Sequence, residues 1–535
     1  MTLSGSQRRL WFGGFGILLL LGVGGYFYCF EGKEPATPPS AQAPADPVDI
    51  VDQVHQFCGS CHEYPSPKSF PKMHWRAEVE RGYRFFEASA LALNVPPIDA
   101  VVRYYESRAP EDFPPAEIKA SDAPLTTSFE RKSFPGPAIA DWFAISNVNL
   151  VHLPRPGGPV VAKAPLDVLA CDMKSGLVML LRPYEASPSW TILANHAENK
   201  VAPSNPAHTE VVDLDGDGIL DILVADLGSF PPTDLHCGRA IWLRGKADGT
   251  FTPIALLENV ARVADVQAAD FRGMGKTKLD VIVAVFGWQA SRDQGAGVFF
   301  LENQTTDWNK PNFVARRIDE RHGAIHVPVA DLNGDGKPDF VALFAQEHEA
   351  IVAFINEGEG KFKRVELFHA SDPTYGSSGI QLVDLNGDNQ LDVLYTNGDT
   401  LDQPYLFKPY HGVQWLENKG DLQFEHHPIT PMYGVHRAVA GDLLGNHRQD
   451  VVAVSFLPRD KFPERSQRKA DGIIILERTQ SGEYRRHSLT TVDCDHTTCA
   501  LGDVFGTGRL DIVVGNFSSA STMDPVTIWK NLGKK

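Results

Sequence analysis

DLDGDGILDILVAD at 213–226 sets an aspartate, a glycine-bearing turn, a second aspartate and a run of aliphatic residues end to end, and the chain repeats that order five more times. It recurs as DFRGMGKTKLDVIVAV (270–285), DLNGDGKPDFVALF (331–344), DLNGDNQLDVLYTN (384–397), DLLGNHRQDVVAVS (442–455) and DVFGTGRLDIVVGN (503–516). The leading aspartates stand 57, 61, 53, 58 and 61 residues apart. LDVLACD at 166–172 supplies a seventh unit with no acidic loop before it. Such a period marks a repeat architecture. In each unit a strand A runs up to the first aspartate, the loop turns it, and strand B follows. Strand C has a shared look (AIWLRGKADGTF, AIVAFINEGEGKF, VQWLENKGDLQF, IIILERTQSGEY), and a short strand D follows, as in FKRVELF at 362–368 and YRRHSLT at 484–490. Four strands per unit predict propeller blades, seven of them across 125–535. The last unit ends on its third strand, VTIWKNLG (526–533), and SFERKSF (128–134) precedes the first blade. We expect 128–134 to be the missing fourth strand, closing the ring and removing an open sheet edge.

The remainder of the 535 residues calls for further folding units. A hydrophobic share of 43% against 22% charged is that of a folded chain. A net charge of −17 with no basic footprint excludes nucleic acid as a partner. Arg8 and Arg9 precede an apolar run over 10–30. As a helix that run is about 31 Å long, enough to cross a bilayer core. The preceding charges put residues 1–9 in the cytoplasm. No convincing cleavage site follows, so an uncleaved single-pass membrane anchor is expected, with a removed signal peptide as the alternative. Either exports the rest to the periplasm or its equivalent. Residues 31–49 read as a Pro/Ala-rich stalk. Residues 50–112 read as a small all-α unit with helices at IVDQVHQF, Trp75–Leu93 and Ile98–Arg108. Pro110, Pro114 and Pro115 end it and open a linker over 113–124.

CGSCH at 58–62 carries the most specific chemistry. Two thiols at this spacing, Cys58 and Cys61, add to the vinyl groups of a porphyrin, and His62 reaches its iron from the same turn. A zinc site would need a second ligand pair, and a redox dithiol a βαβ context; neither is nearby. The expectation is one covalent haem c with His62 as axial ligand. Met73 and His74, eleven and twelve residues on, are the distal candidates, with an open or other sixth position as the third possibility. A methionine raises the potential and a second histidine generally lowers it. Cys494 and Cys499 are spaced to close a small disulfide loop in an oxidising compartment. Cys171 and Cys237 read as plain buried residues.

The acidic loops place oxygens at alternate positions, a calcium pattern of hard ligands on a flexible turn. The three complete sets are Asp213, Asp215, Asp217, the Ile219 carbonyl and Asp221; Asp331, Asn333, Asp335, the Lys337 carbonyl and Asp339; and Asp384, Asn386, Asp388, the Gln390 carbonyl and Asp392. Acid-rich turns without metal are the plainer alternative. The other three loops have lost ligands to Arg272 and Met274, to Leu444 and to Phe505.

Because each acidic loop ends a strand A, five residues earlier lies roughly 16 Å away, toward the other face. There stand His208, Asp265, His326, Gly379, Arg437 and Thr498, with His436 and Thr497 one place earlier. On innermost strands these side chains should ring the mouth of the central channel. The loops 229–240, 286–297, 397–412 and 456–471 open on that face and carry Trp288, Asp399, Asp402, Tyr405 and Lys461. Convergent His, Arg and Asp groups at a concave mouth point to a ligand site; a water-filled polar mouth is the alternative.

The repeats resemble the FG-GAP/VCBS family, whose integrin-type propellers hold calcium in D-x-D-x-D-G loops. Residues 50–112 resemble a single-haem cytochrome c domain, and the whole is similar to bacterial proteins that fuse the two. The resemblance implies the fold, the haem and the calcium, but no reaction. Met73 departs from the pattern, since the axial methionine of small cytochromes c usually comes much later. Three functions follow as expectations. The first is single-electron transfer, with the propeller binding a redox partner protein or small ligand. The second is a propeller dehydrogenase feeding its own haem. The third is an adhesion or scaffold module whose haem senses a gas or redox state.

Overall fold

A computed structural model describes residues 47–89, 91–155, 165–233, 235–287, 295–518 and 524–534. The expected anchor at 10–30, most of the stalk and Trp288 lie outside them. Among the described residues no helix is long and apolar enough to cross a membrane.

Seven antiparallel sheets form, one per sequence unit, each in the order A-B-C-D. The innermost strands are Ile145–Val151, Pro206–Val212, Val263–Ala269, Ala324–His326 with Val329–Ala330, Ser377–Val383, Val435–Gly441 and His496–Gly502. Pro328, with no N–H to give the ladder, splits the fourth of these. Each innermost strand touches that of the next blade, and the seventh touches the first, so the ring is closed. This is a seven-bladed all-β propeller. Every strand B is buried along its whole length, as in Asp339–Phe344 and Asp511–Asn516, because neighbouring blades cover both of its faces. The aliphatic runs in the repeat are the consequence. Between blades 3 and 4, Phe271, Phe300, Phe340 and Phe354 fill the gap, the last two stacked with centroids 4.5 Å apart.

Closure follows the expectation, shifted by one residue. Thr127–Ser133 pairs antiparallel with Val526–Lys534, placing Glu130 opposite Lys530 and Ser133 opposite Thr527. Phe129 and Trp529 pack into the core between blades 6 and 7.

The second aspartate of each acidic loop has a structural task. Asp339 is fully buried; its Oδ2 accepts the Leu332 N–H at 3.0 Å and its Oδ1 accepts that of Asn356 at 2.7 Å. It thereby ties the start of the loop to the end of strand C. Asp221, Asp392, Asp450 and Asp511 do the same in their blades. Asn356 then donates to the Phe271 carbonyl of blade 3, and Asn531 to the Leu443 carbonyl of blade 6, so the clamp extends from blade to blade.

The helical unit comprises α1 (Pro47–Cys58), α2 (Trp75–Ser89) and α3 (Ile98–Glu106), with α1 and α2 both packed on α3. Its core holds Val54, Phe70, Trp75, Val79, Val101 and Tyr105, and Trp75 stacks on Tyr105 at 3.9 Å. α2 stops four residues short of the expected Leu93: the Ser89 hydroxyl turns back onto the Phe86 carbonyl, and its Oγ accepts the Leu91 N–H. The unit sits on the propeller face where strands A begin, opposite the acidic loops. Ser69 Oγ and the Ser66 N–H donate to Asp372, Arg81 donates to the Gln403 carbonyl at 2.8 Å, and Leu406 joins the helical core. The connecting segment is tied down as well, Ala116 N–H to the Tyr433 hydroxyl and Ser121 N–H to the Arg486 carbonyl.

No disulfide joins Cys494 and Cys499; both are free. Cys494 is buried with Tyr433, Leu457 and Phe462, whereas Cys499 faces the core between blades 6 and 7. Cys171 is buried as expected, but Cys237 is only half-buried.

Candidate functional site

Every innermost strand carries a register break after its first residue, and the residue just past the break is the one that faces the channel. A bulge re-aims a side chain in this way. The seven residues so placed are Asn147, His208, Asp265, His326, Gly379, Arg437 and Thr498. Sequence reasoning missed only Asn147, because blade 1 has no acidic loop from which to count.

Four of the seven form a chain across the channel. His208 Nδ1 lies 2.7 Å from Asp265 Oδ1, His326 Nδ1 lies 3.7 Å from Asp265 Oδ2, and Arg437 Nη1 lies 3.4 Å from His326 Nε2. Asp265 also accepts the N–H of Val266 and, from the next blade, that of Val327. Burial alone would raise its carboxyl, but His208 and His326 hold it well below the usual carboxylate range. Burial, reinforced by the Arg437 charge, pushes His326 down to about 4. Blade 5 contributes Gly379. A Cβ there would stand 3.3 Å from Arg437 Cδ and 3.1 Å from the His436 carbonyl, so glycine is what lets Arg437 reach over blade 5 to His326. Asn147, His208, Gln381, Arg437 and Thr498 line a cavity of about 270 Å³. Deeper in, burial pushes Glu210 up to about 8 while it accepts the Ala268 N–H at 2.6 Å. His208 Nδ1 lies against Asp265 without hydrogen-bond geometry, so the carboxylate holds an imidazole beside it at the channel wall but does not fix its tautomer. Arg437 offers a cation for an anionic group.

His436 is not part of this ring. One residue along a strand reverses the side chain, and His436 donates from Nδ1 to the Thr497 carbonyl at 2.8 Å, edge-on to Phe456. Thr497 donates to the Ile145 carbonyl. Tyr405 and Lys461 line a second cleft, of about 550 Å³, between the propeller and the helical unit, together with His74, Glu78, Arg81 and Glu464. Burial pushes Glu78 up to about 7. Asp399 and Asp402 belong to the same loop as the buried Lys408, whose Nζ donates to the Thr374 carbonyl.

In the helical unit, Cys58 ends α1, half-buried, and Cys61 is exposed; neither thiol is bridged. Burial raises the Cys58 thiol. His62 Nδ1 donates to the Glu63 carbonyl at 2.7 Å, leaving Nε2 as the lone-pair nitrogen. Beside Cys58 lies the buried Tyr105 hydroxyl, which makes no well-formed hydrogen bond among the described residues. Met73 is 78% exposed, and Phe85, Leu91 and Val95 are exposed with it. His74 instead turns toward the cleft. Two free thiols three residues apart and an imidazole oriented through its other nitrogen fit the donor set that a covalent haem requires.

The acidic loops wind around their first aspartate. Asp331 accepts the N–H groups of Gly334, Asp335 and Gly336, and Asp384 those of Gly387, Asp388 and Asn389. Asn333 and Asn386 accept those of Asp335 and Asp388. In blade 2 the carboxylates of Asp213, Asp215 and Asp221 come within 4.8 Å of one another, and Arg244 already lies 2.6 Å from Asp215. Burial pushes Asp221 up to about 6. The oxygen-only donor sets fit calcium. In blade 3 the protein supplies its own cation: Arg272, in a ligand position, pairs with Asp280 at 2.8 Å and with Glu302 at 3.0 Å.

Residues 331–395, from the acidic loop of blade 4 through strand B of blade 5, match the model of the FG-GAP-like repeat. No curated protein matches the chain. Among solved structures the chain is similar to the N-terminal domain of Nup159, at 10% identity over 78% of this chain and 97% of that one, with a TM-score of 0.39. The chain thus carries FG-GAP-like repeats within a seven-bladed β-propeller.

Proposed function

We propose that this chain is a membrane-anchored, extracytoplasmic c-type cytochrome that passes single electrons, with a calcium-stiffened propeller that binds a redox partner or a small ligand. The carrying observation is the pair of unbridged thiols, Cys58 and Cys61, at the end of α1, followed by an imidazole whose Nδ1 is bonded to the Glu63 carbonyl. In this reading both thiols form thioethers and His62 binds iron through Nε2. Met73, exposed and unpacked, is the first candidate for the distal position, and His74 the second. The bound haem supplies a one-electron couple. The protein positions it over the propeller face that bears the channel mouth, and the run at 10–30 holds the assembly to the membrane. Asp213, Asp215, Asp217, Asp331, Asn333, Asp335, Asp384, Asn386 and Asp388 supply the calcium oxygens, with the carbonyls of Ile219, Lys337 and Gln390 and the clamp residues Asp221, Asp339 and Asp392.

Optical spectra of the exported protein, oxidised and reduced, with its intact mass, test this. A porphyrin mass increment and a reversible redox wave support the proposal. No increment and no band on reduction defeat it. A second reading, in which the propeller oxidises a substrate and reduces its own haem, is favoured by one observation, the convergence of His208, Asp265, His326 and Arg437 in the channel. Substrate-dependent haem reduction that disappears in Arg437→Ala would select it.

A further inference from the structure

Outside the channel and the acidic loops, two histidines and a glutamate meet on the mouth face of blade 4. His322 precedes strand A, and Glu347 and His348 lie in the tight connection between strands B and C. Donor atoms of all three lie within 4.8 Å of one another. His322 Nε2 is 2.8 Å from Glu347 Oε2, and the two imidazoles stand with centroids 5.1 Å apart. We propose that these three residues bind a borderline divalent transition metal of the zinc class.

The chemistry and the scaffold both support this. Two imidazoles and one carboxylate make a borderline donor set that suits zinc and its neighbours rather than calcium. Three protein ligands leave one tetrahedral position open, the pattern of a site that exchanges water or substrate rather than of a purely structural one. The ligands are held before any ion arrives. Gly323 N–H donates to the Phe286 carbonyl and its own carbonyl accepts the Ala345 N–H, which brings His322 against the loop. Glu349 anchors the far end, accepting from Gly376 N–H, Ser377 N–H and the Ser377 hydroxyl of blade 5. Gln346 and Glu349, which flank the ligand pair, have positive φ of 59° and 40°. Non-glycine residues persist in that region only where their surroundings enforce it, and such residues gather at functional sites. Arg321, next to His322, is paired with Asp319 at 2.7 Å and lies over the Phe344 ring.

The test uses the full chain, as exported, dialysed against micromolar zinc with calcium in excess and then stripped of free metal. Zinc per protein is counted in the wild type, His348→Ala and Glu347→Gln, with circular dichroism as the fold control. His322 is buried and is left unaltered. The difference between wild type and variants removes any contribution from Cys58, Cys61 and His62. We expect one zinc equivalent in the wild type that both variants lose, and an X-ray absorption spectrum with two imidazole nitrogens and a carboxylate oxygen at about 2.0–2.2 Å. Equal zinc in all three proteins, or a spectrum without imidazole, overturns the proposal, as does a wild type that holds no zinc.

Discussion

The two faces of the propeller are built on opposite plans. On the acidic-loop face six of the seven blades make the same local device. One aspartate winds its own turn and a second clamps the turn to strand C, through contacts within some thirty residues of sequence. On the mouth face nothing repeats. Seven equivalent bulges present seven positions occupied by Asn, His, Asp, His, Gly, Arg and Thr, and the contacts that matter run between blades. The repeated face secures the fold, and the unrepeated face carries whatever specificity the protein has. Energetically, then, substitutions on the loop face should act independently, and those on the mouth face should couple.

The largest effect is expected at Asp265. Its removal strands two backbone donors and takes the carboxylate from between His208 and His326. Asp265→Ala should cost about 3–5 kcal/mol, as breaking a buried charged network does. Urea unfolding reads this out. In a double-mutant cycle with Arg437→Ala, three blades away but joined to Asp265 through His326, the coupling should be of order 1 kcal/mol or more. Strict additivity would break the contrast between the faces.

The counterpart is Asp511, whose loop lacks the oxygen ligands proposed for calcium but whose clamp on Val504 and Asn531 is present. Asp511→Ala leaves two buried N–H groups unpaired and should cost about 2–4 kcal/mol, with or without calcium. Combined with Asp339→Ala, three blades away, the costs should add to within about 0.5 kcal/mol.

Calcium sharpens the contrast inside the loop face itself. Saturation at a hundred times the dissociation constant should stabilise by about 2.7 kcal/mol per site that is lost on unfolding. Asp335→Asn and Asp388→Asn should each remove one ion from the measured stoichiometry, and Asp503→Asn none. Blade 3 should ignore chelators altogether, since Arg272 occupies the place of an ion.

Sequence and structure agree where the physics is local. The period, the strand order and the closing strand were legible because a sheet edge had to be filled and only 128–134 was at hand. The ring was legible because a fixed count along an extended strand is a fixed distance. His436 failed for the same reason, lying one residue out of phase. Arg244 on Asp215, Arg437 spanning Gly379, and the meeting of His322 with Glu347 and His348 were not legible. Each depends on which loop neighbours which, and no periodicity encodes that. The free state of Cys494 and Cys499 belongs here too, since two blade contacts draw them into different cores.

Acid should find the mouth face first. His326 titrates at about 4 in the folded chain against about 6.5 unfolded. Between those values the unfolded chain binds more protons, so stability falls as pH drops from 6.5 to 4. The full shift is discounted here because the ring is partly open to water, leaving about 2 kcal/mol. Asp265, held low, keeps its contribution through that window and loses it only at more acid pH. His326→Gln should flatten the decline between pH 6.5 and 4 in urea unfolding, the remaining slope belonging to groups such as His348; an unchanged slope would place the titration elsewhere.

The smallest effect concerns how the helical unit rests on this face. Asp372 accepts from both Ser66 and Ser69, while Leu406 and the Arg81–Gln403 contact make the rest of the junction. One exposed-edge carboxylate with two such bonds is worth about 1 kcal/mol. Asp372→Ala should leave the global urea midpoint almost unmoved, yet raise amide exchange at residues 66–72 several-fold. If the exchange is unchanged, Leu406 and Arg81 suffice to seat the unit. The mouth face would then hold its helical cover as the loop face holds its turns, by contacts that do not depend on one another.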